Sequence, residues 1–179
     1  IVGTMALDNI ETPFGKVNDV LGGSAIYAAY AASFFSQPGI ISIIGEDFPK
    51  ASIEELKRRK IDLNGVKKQG RTFRWDGYYE FDMNEAKTLR TELNSLEMFK
   101  PEIPEEYKNA KYLFLANIDP SIQLEIIRKI KKPELIITDT MNFWIEHKKD
   151  DLLKVIKKTD ILLLNDSEAR QLFSTTNLV

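Results

Sequence analysis

The later part of the chain alternates in a way that leaves few folds open. After Pro104, the short apolar runs in KYLFLAN, ELIITDT and DILLLN are separated by the longer amphipathic stretches SIQLEIIRKIKK and KDDLLKVIKK. DSEARQLF follows the last run. Short apolar runs rich in Ile and Leu read as buried strands, and the amphipathic stretches between them read as helices. A parallel return needs a crossover long enough to hold a helix, so repeated strand–helix units imply a parallel sheet. Strands apolar on both faces fit burial under helices on both sides. The expected class is α/β, a mainly parallel sheet flanked by helices.

The earlier part follows the same plan with one interruption. IVGTMALD reads as a short buried strand ending in a carboxylate. NIETPFGKVNDVLGG is polar and turn-rich, and SAIYAAYAASFF reads as a buried Ala-rich helix with Ser24 as a candidate N-cap. GIISIIG reads as a buried strand, and PKASIEELKRRK as an amphipathic helix opened by Pro49. From about Leu63 to Phe99 the texture becomes aromatic, Thr-rich and partly alternating. This predicts an antiparallel excursion exposed on at least one face.

Composition excludes several classes. With 179 residues, 43% hydrophobic and 29% charged, the chain suits one globular domain. No apolar run approaches the roughly 20 residues of a membrane helix, and no secretory signal is read at the N-terminus. The absence of Cys removes disulfides, thiolate metal ligands and Cys nucleophiles, and agrees with a cytoplasmic setting. A formal net charge of -2 gives no footprint for nucleic acid, and Lys57-Arg58-Arg59-Lys60 reads as a solvated helix end. Neither a P-loop nor a G-x-G-x-x-G motif is present, and the single histidine, His147, reads as a surface residue.

Ligands of open α/β sheets bind beyond the carboxyl ends of the strands. Here those ends are polar: Asp8, Gly45-Glu46-Asp47, Asn117 or Asp119, Asp139, and Asn165 to Glu168. One such ending is an ordinary helix cap; five on one edge suggest a polar site. Gly22-Gly23 before a helix would let a backbone approach a ligand closely. Asn165 with Glu168 three residues on reads first as a capping box, and the same geometry suits a phosphate or magnesium site. Phe73, Arg74, Trp75, Tyr78 and Tyr79 read equally well as a packed face or as substrate contacts.

These residues, in this order, resemble the ribokinase-like carbohydrate kinases, also called the PfkB family. GTMALD is similar to the family's first strand, LGGSAIYAAYAA to its Gly-Gly turn and helix, IIGEDFP to its Gly-x-Asp segment, and NDSE to its Asn-x-x-Glu motif. The resemblance implies a ribokinase-like fold across residues 1–179, with a small antiparallel β-lid at about 10–21 and 64–99. It implies ATP-dependent phosphorylation of a hydroxyl on a sugar or nucleoside. Asp8, Gly22, Gly23, Ser24, Arg74 and Asp139 would bind the substrate, and Asn165 and Glu168 would organise Mg2+ and phosphate. It further implies a homodimer formed through the lid.

The family's Gly-Ala-Gly-Asp segment, with its catalytic Asp, lies beyond Asn-x-x-Glu. The nucleotide-binding part is therefore expected to be absent from these residues, which would be inactive alone. Two departures leave the acceptor's identity open. Ile26-Tyr27 stands where many sugar kinases carry Asn, and no acid is clearly placed after the middle strand. A non-catalytic small-polyol-binding or dimerisation module is the alternative.

Overall fold

Val2 sits at the centre of the molecule, bridging in parallel to Ile41 on one side and Leu115 on the other. The computed structural model describes residues 1–83 and 86–178. In chain order, a hairpin of β1 (Ala6–Thr12) and β2 (Gly15–Gly22) leads into helix α1 (Ser24–Ala32). Then come β3 (Gly39–Ile44), α2 (Lys50–Arg58), β4 (Asp62–Lys68), β5 (Phe73–Tyr79) and β6 (Ala86–Glu92). The alternating part supplies β7 (Tyr112–Leu115), α3 (Pro120–Lys129), β8 (Leu135–Asp139), α4 (Asn142–His147), α5 (Lys149–Ile156), β9 (Ile161–Leu163) and α6 (Asp166–Phe173). None of the helices described is long and apolar enough to cross a membrane.

Residues 1–3 join two parallel ladders, β3–β4 and β7–β8–β9, into one central sheet. Their backbone is satisfied on both sides: Ile41 N–H donates to the Ile1 carbonyl at 2.8 Å, and Ala116 N–H to the Val2 carbonyl at 2.7 Å. Strand β3 shows why the sheet is two-sided. Ile41 and Ile43 join a core with Val2, Leu115, Leu124 and Ile126, while Ile40 and Ile44 join a second with Met5, Ala25, Ile26 and Leu56. Alternate residues of one strand thus feed opposite cores, one under α3 and α5, the other under α1 and α2. The α/β class with a mainly parallel, helix-flanked sheet is what the alternation predicts.

The second sheet has the order β2-β1-β5-β6. Its outer pairs are antiparallel, but β1 and β5 run parallel, from Ala6 opposite Phe73 to Glu11 opposite Tyr78. The reason is topological. The chain leaves the central sheet twice, along β1 and along β5, and two outgoing strands side by side point the same way. The expected antiparallel excursion is present in its two hairpins, which β1 and β5 join in parallel. Asn84 and Glu85, inside the expected excursion, lie outside the described residues.

Three local readings also change. Residues 64–68 pair with β3, so β4 belongs to the central sheet, and its polar sequence DLNGVKK reflects an edge position. NIETPFGKVNDV is a strand hairpin, held by backbone pairing with a bulge between Asp8 and Ile10. Asp8 therefore stands inside β1, three residues past Met5, and not at a central-strand end. Ser24 is the first helical residue; Gly23 holds the cap position at φ 95, without a side-chain cap.

Candidate acceptor site beneath the second sheet

Asp8 is the centre of the site. It is 7% exposed, and its Oδ1 has no hydrogen-bond partner in the protein. Burial pushes its carboxyl up to about 6; the Gly23 N–H, donating to the carboxylate, opposes this, and the charge of Asp76 adds to it. Gly22 leaves the space: a Cβ there would stand 1.9 Å from Asp8 Oδ2. At Gly23 a Cβ would meet the Thr4 carbonyl at 2.4 Å, and the positive φ itself calls for glycine. The two glycines thus let β2 and the start of α1 fold against Asp8.

Two tyrosines lie within the electrostatic reach of Asp8. Tyr27, one helical turn past Gly23, and Tyr79 on β5 are both raised by burial first and by the Asp8 charge second. Both phenols therefore feel the charge of the carboxylate. Asp76, held by Asn9 Nδ2 at 2.6 Å, contributes a further negative charge nearby.

Other predicted residues are placed differently. Ser24 Oγ donates to the Asn117 carbonyl at 2.8 Å and accepts from Thr4 N–H at 3.2 Å, so its hydroxyl ties α1 to the central sheet. Arg74 follows Leu7 in register, whereas Asp8 pairs with Trp75, so Arg74 projects from the opposite face. Its guanidinium pairs with Asp19 and, at 3.6 Å, with Asp47, and the Asp19 hydrogen bond holds it strongly basic. The structure does not bring Arg74 to Asp8. Asp119 caps α3 through Ser121 N–H at 2.9 Å and pairs with Lys148, while Asn117 accepts from Trp144 Nε1 at 2.8 Å.

A second cluster forms where β8 ends and α6 begins. Burial first, and then the charge of Glu168, push the Asp139 carboxyl up to about 6. Glu168 is raised by burial, against the hydrogen bonds it makes at Asn165. The Asn165–Glu168 pair is a complete capping box, with Asn165 Oδ1 accepting at 2.8 Å and Glu168 Oε2 at 2.9 Å. Thr140, 4% exposed, keeps an unpartnered hydroxyl beside Asp139 in the chain.

No protein-family model matches the chain. It is 27% identical over 173 residues to a curated cytidine kinase of Thermococcus kodakarensis, covering 94% of this chain and 62% of that protein. Among solved structures, the Methanocaldococcus jannaschii nucleoside kinase, an archaeal member of the ribokinase family, superposes with a TM-score of 0.72 at 19% identity. That match covers 99% of this chain and 64% of the other. An Anopheles gambiae adenosine kinase bound to P1,P4-di(adenosine-5) tetraphosphate gives 0.74 at 13% identity, covering 97% and 65%. The fold is that of the ribokinase family. The resemblance read from the motifs is borne out at that level, and the chain spans 62% of the length of its curated relative.

On this ribokinase-like fold the site can do three things. The buried carboxylate can accept hydrogen bonds from hydroxyls in a place where each counts for more than in water. The glycine turn would let backbone come close to a ligand. The Asp139–Glu168 pair adds negative charge at the edge of the central sheet. Sequence reasoning missed Tyr27 as a site residue. Its signal was present: four residues past Gly23 on a helix, a side chain returns to the same face.

Proposed function

We propose that residues 1–179 form the acceptor-binding part of a kinase that transfers the γ-phosphoryl group of ATP to a hydroxyl of a nucleoside or related sugar. The observation that carries this reading is Asp8, a buried carboxylate with one oxygen unpartnered in the protein. An unpaired buried charge is costly, and two hydroxyls donating to it would offset that cost. The names of the relatives support the same class, since they include a cytidine kinase and a nucleoside kinase in complex with inosine.

In the proposed reaction the acceptor hydroxyl passes its proton to a base that residues 1–179 do not supply, its oxygen forms the new bond to phosphorus, and the bond from phosphorus to the leaving ADP oxygen breaks. Positioning and electrostatics supply most of such catalysis. Asp8 and the Gly22-Gly23 turn would hold the acceptor. The second sheet would act as its lid and exclude water.

No three acidic or histidine side chains gather to cage an ion among the described residues. Magnesium, however, is held by one or two carboxylates with waters and phosphates completing the shell. Asp139, whose carboxyl is raised in part by the charge of Glu168, fits that lighter role together with Glu168. Bound there, the ion would neutralise phosphate charge. No residue of 1–179 is assigned as the base, so these residues alone are proposed to bind acceptor without phosphorylating it.

The test uses the protein expressed from its whole coding sequence, with ATP, magnesium, a panel of nucleosides and D-ribose. A phosphorylated acceptor formed in step with ADP, and lost in Asp8→Asn, is expected. ATP consumption that no nucleoside or pentose stimulates would sink the proposal. Acceptor binding without any turnover would favour a non-catalytic binding module.

A further inference from the structure

Trp75 pairs directly with Asp8 across β1 and β5, so both side chains leave the sheet on the same face. The indole does not stand up from the strand. It lies along it, over Gly77, where an added Cβ would meet ring atoms Cη2 and Cζ2 at 2.0 and 2.1 Å. Any other residue at 77 would lift the ring. Its Nε1 donates to Thr88 Oγ1 at 2.9 Å, and Thr88 is the residue opposite Gly77 on β6. The ring is thus fixed at both ends, by a glycine beneath it and a hydroxyl at its tip. One of its faces rests on the strand, and no aromatic ring stacks on the other among the described residues.

We propose that Trp75, laid flat by Gly77 and pinned by Thr88, is a specificity-determining platform on which a planar ring of the acceptor stacks while its hydroxyls reach Asp8. This rests on the reading of Asp8 as the acceptor's anchor and deepens it. The site then fits a molecule with hydroxyls at one end and a flat heterocycle at the other, a nucleoside, and gives little to a bare pentose. A held platform costs no side-chain ordering when the ligand arrives. Every base has a π-face, so stacking of this kind tolerates different bases and predicts broad use of nucleosides.

The experiment measures binding of cytidine and D-ribose by calorimetry in the full-length protein and its variants. Trp75→Ala is expected to weaken cytidine roughly 10- to 100-fold, the range of base–aromatic stacking, and to leave D-ribose within about twofold. Trp75→Phe, which keeps a ring, should recover most of the cytidine affinity. Thr88→Val, which only unpins the ring, should fall between. Equal losses for both ligands in Trp75→Ala, or no loss for cytidine, overturn the platform. The ratio of the two ligands within each variant separates stacking from a general effect on folding. Asp8→Asn distinguishes the layers: it should weaken both ligands, and its failure to weaken either would overturn the anchor and the platform together. An intact Asp8 effect with an unchanged Trp75 ratio would overturn the platform alone.

Discussion

At the scale of single residues, the free protein gives up stability at Asp8. Its folded carboxyl sits at about 6, against about 3.9 for an unperturbed Asp. A carboxyl raised on folding contributes stability that is fully present below about pH 4 and lost as pH rises through 6. At pH 7.5 the ionised group therefore destabilises the fold, while hydroxyl donors favour that same ionised form. Asp8→Asn should raise stability at pH 7.5 by about 1–3 kcal/mol, raise it by much less at pH 4.5, and abolish most acceptor binding. Urea unfolding at the two pH values checks the first part and calorimetry the second. A variant destabilised equally at both values would show that Asp8 is held by partners and not strained by burial. The same physics makes acceptor affinity of the natural protein fall as pH drops through about 6.

At the scale of elements, one carboxylate joins the end of β3 to the segment that opens β5. Asp47, just past β3, accepts from Thr72 N–H at 2.7 Å and from its hydroxyl at 2.8 Å, and pairs with Arg74. Burial alone would raise Asp47, but the Thr72 bonds and the arginine hold it below the usual range. Asp47→Ala should cost about 1–3 kcal/mol and speed amide exchange at residues 70–76, without altering the Asp8–Gly22 contact. Exchange that rises evenly over the chain would argue against a local clamp.

Much of this architecture was legible beforehand. GIISII, YLFL and LIITD are apolar on both faces because helices cover both faces, and runs of that kind declare themselves. DLNGVKK did not, because an edge strand may be polar without losing its pairing. Nor did the parallel β1–β5 pair: it joins residues far apart in sequence, and local pattern carries no information on such partners. Asp8 and the glycine turn were visible as residue types. Their closeness to Tyr27 and Trp75 depended on that same distant pairing.

At the scale of the whole molecule, the β9 edge of the central sheet leaves apolar side chains exposed. Strand β9 is three residues long and stands at the edge of the central sheet, with Ile161 43% and Leu163 46% exposed. Phe173 on α6 and Leu178 add 63% and 45% exposure nearby in the chain. Parallel sheets are ordinarily covered on both faces, and an uncovered apolar edge strand is a template for pairing. Residues 1–179 prepared alone should therefore associate with rising concentration and bind a hydrophobic dye. Leu163→Lys should suppress both, because a charge on an edge strand blocks edge-to-edge pairing. Sedimentation of the two proteins over a range of concentrations decides it. A chain that stays monomeric throughout, or a lysine variant that associates as strongly, would move the cause of association away from β9.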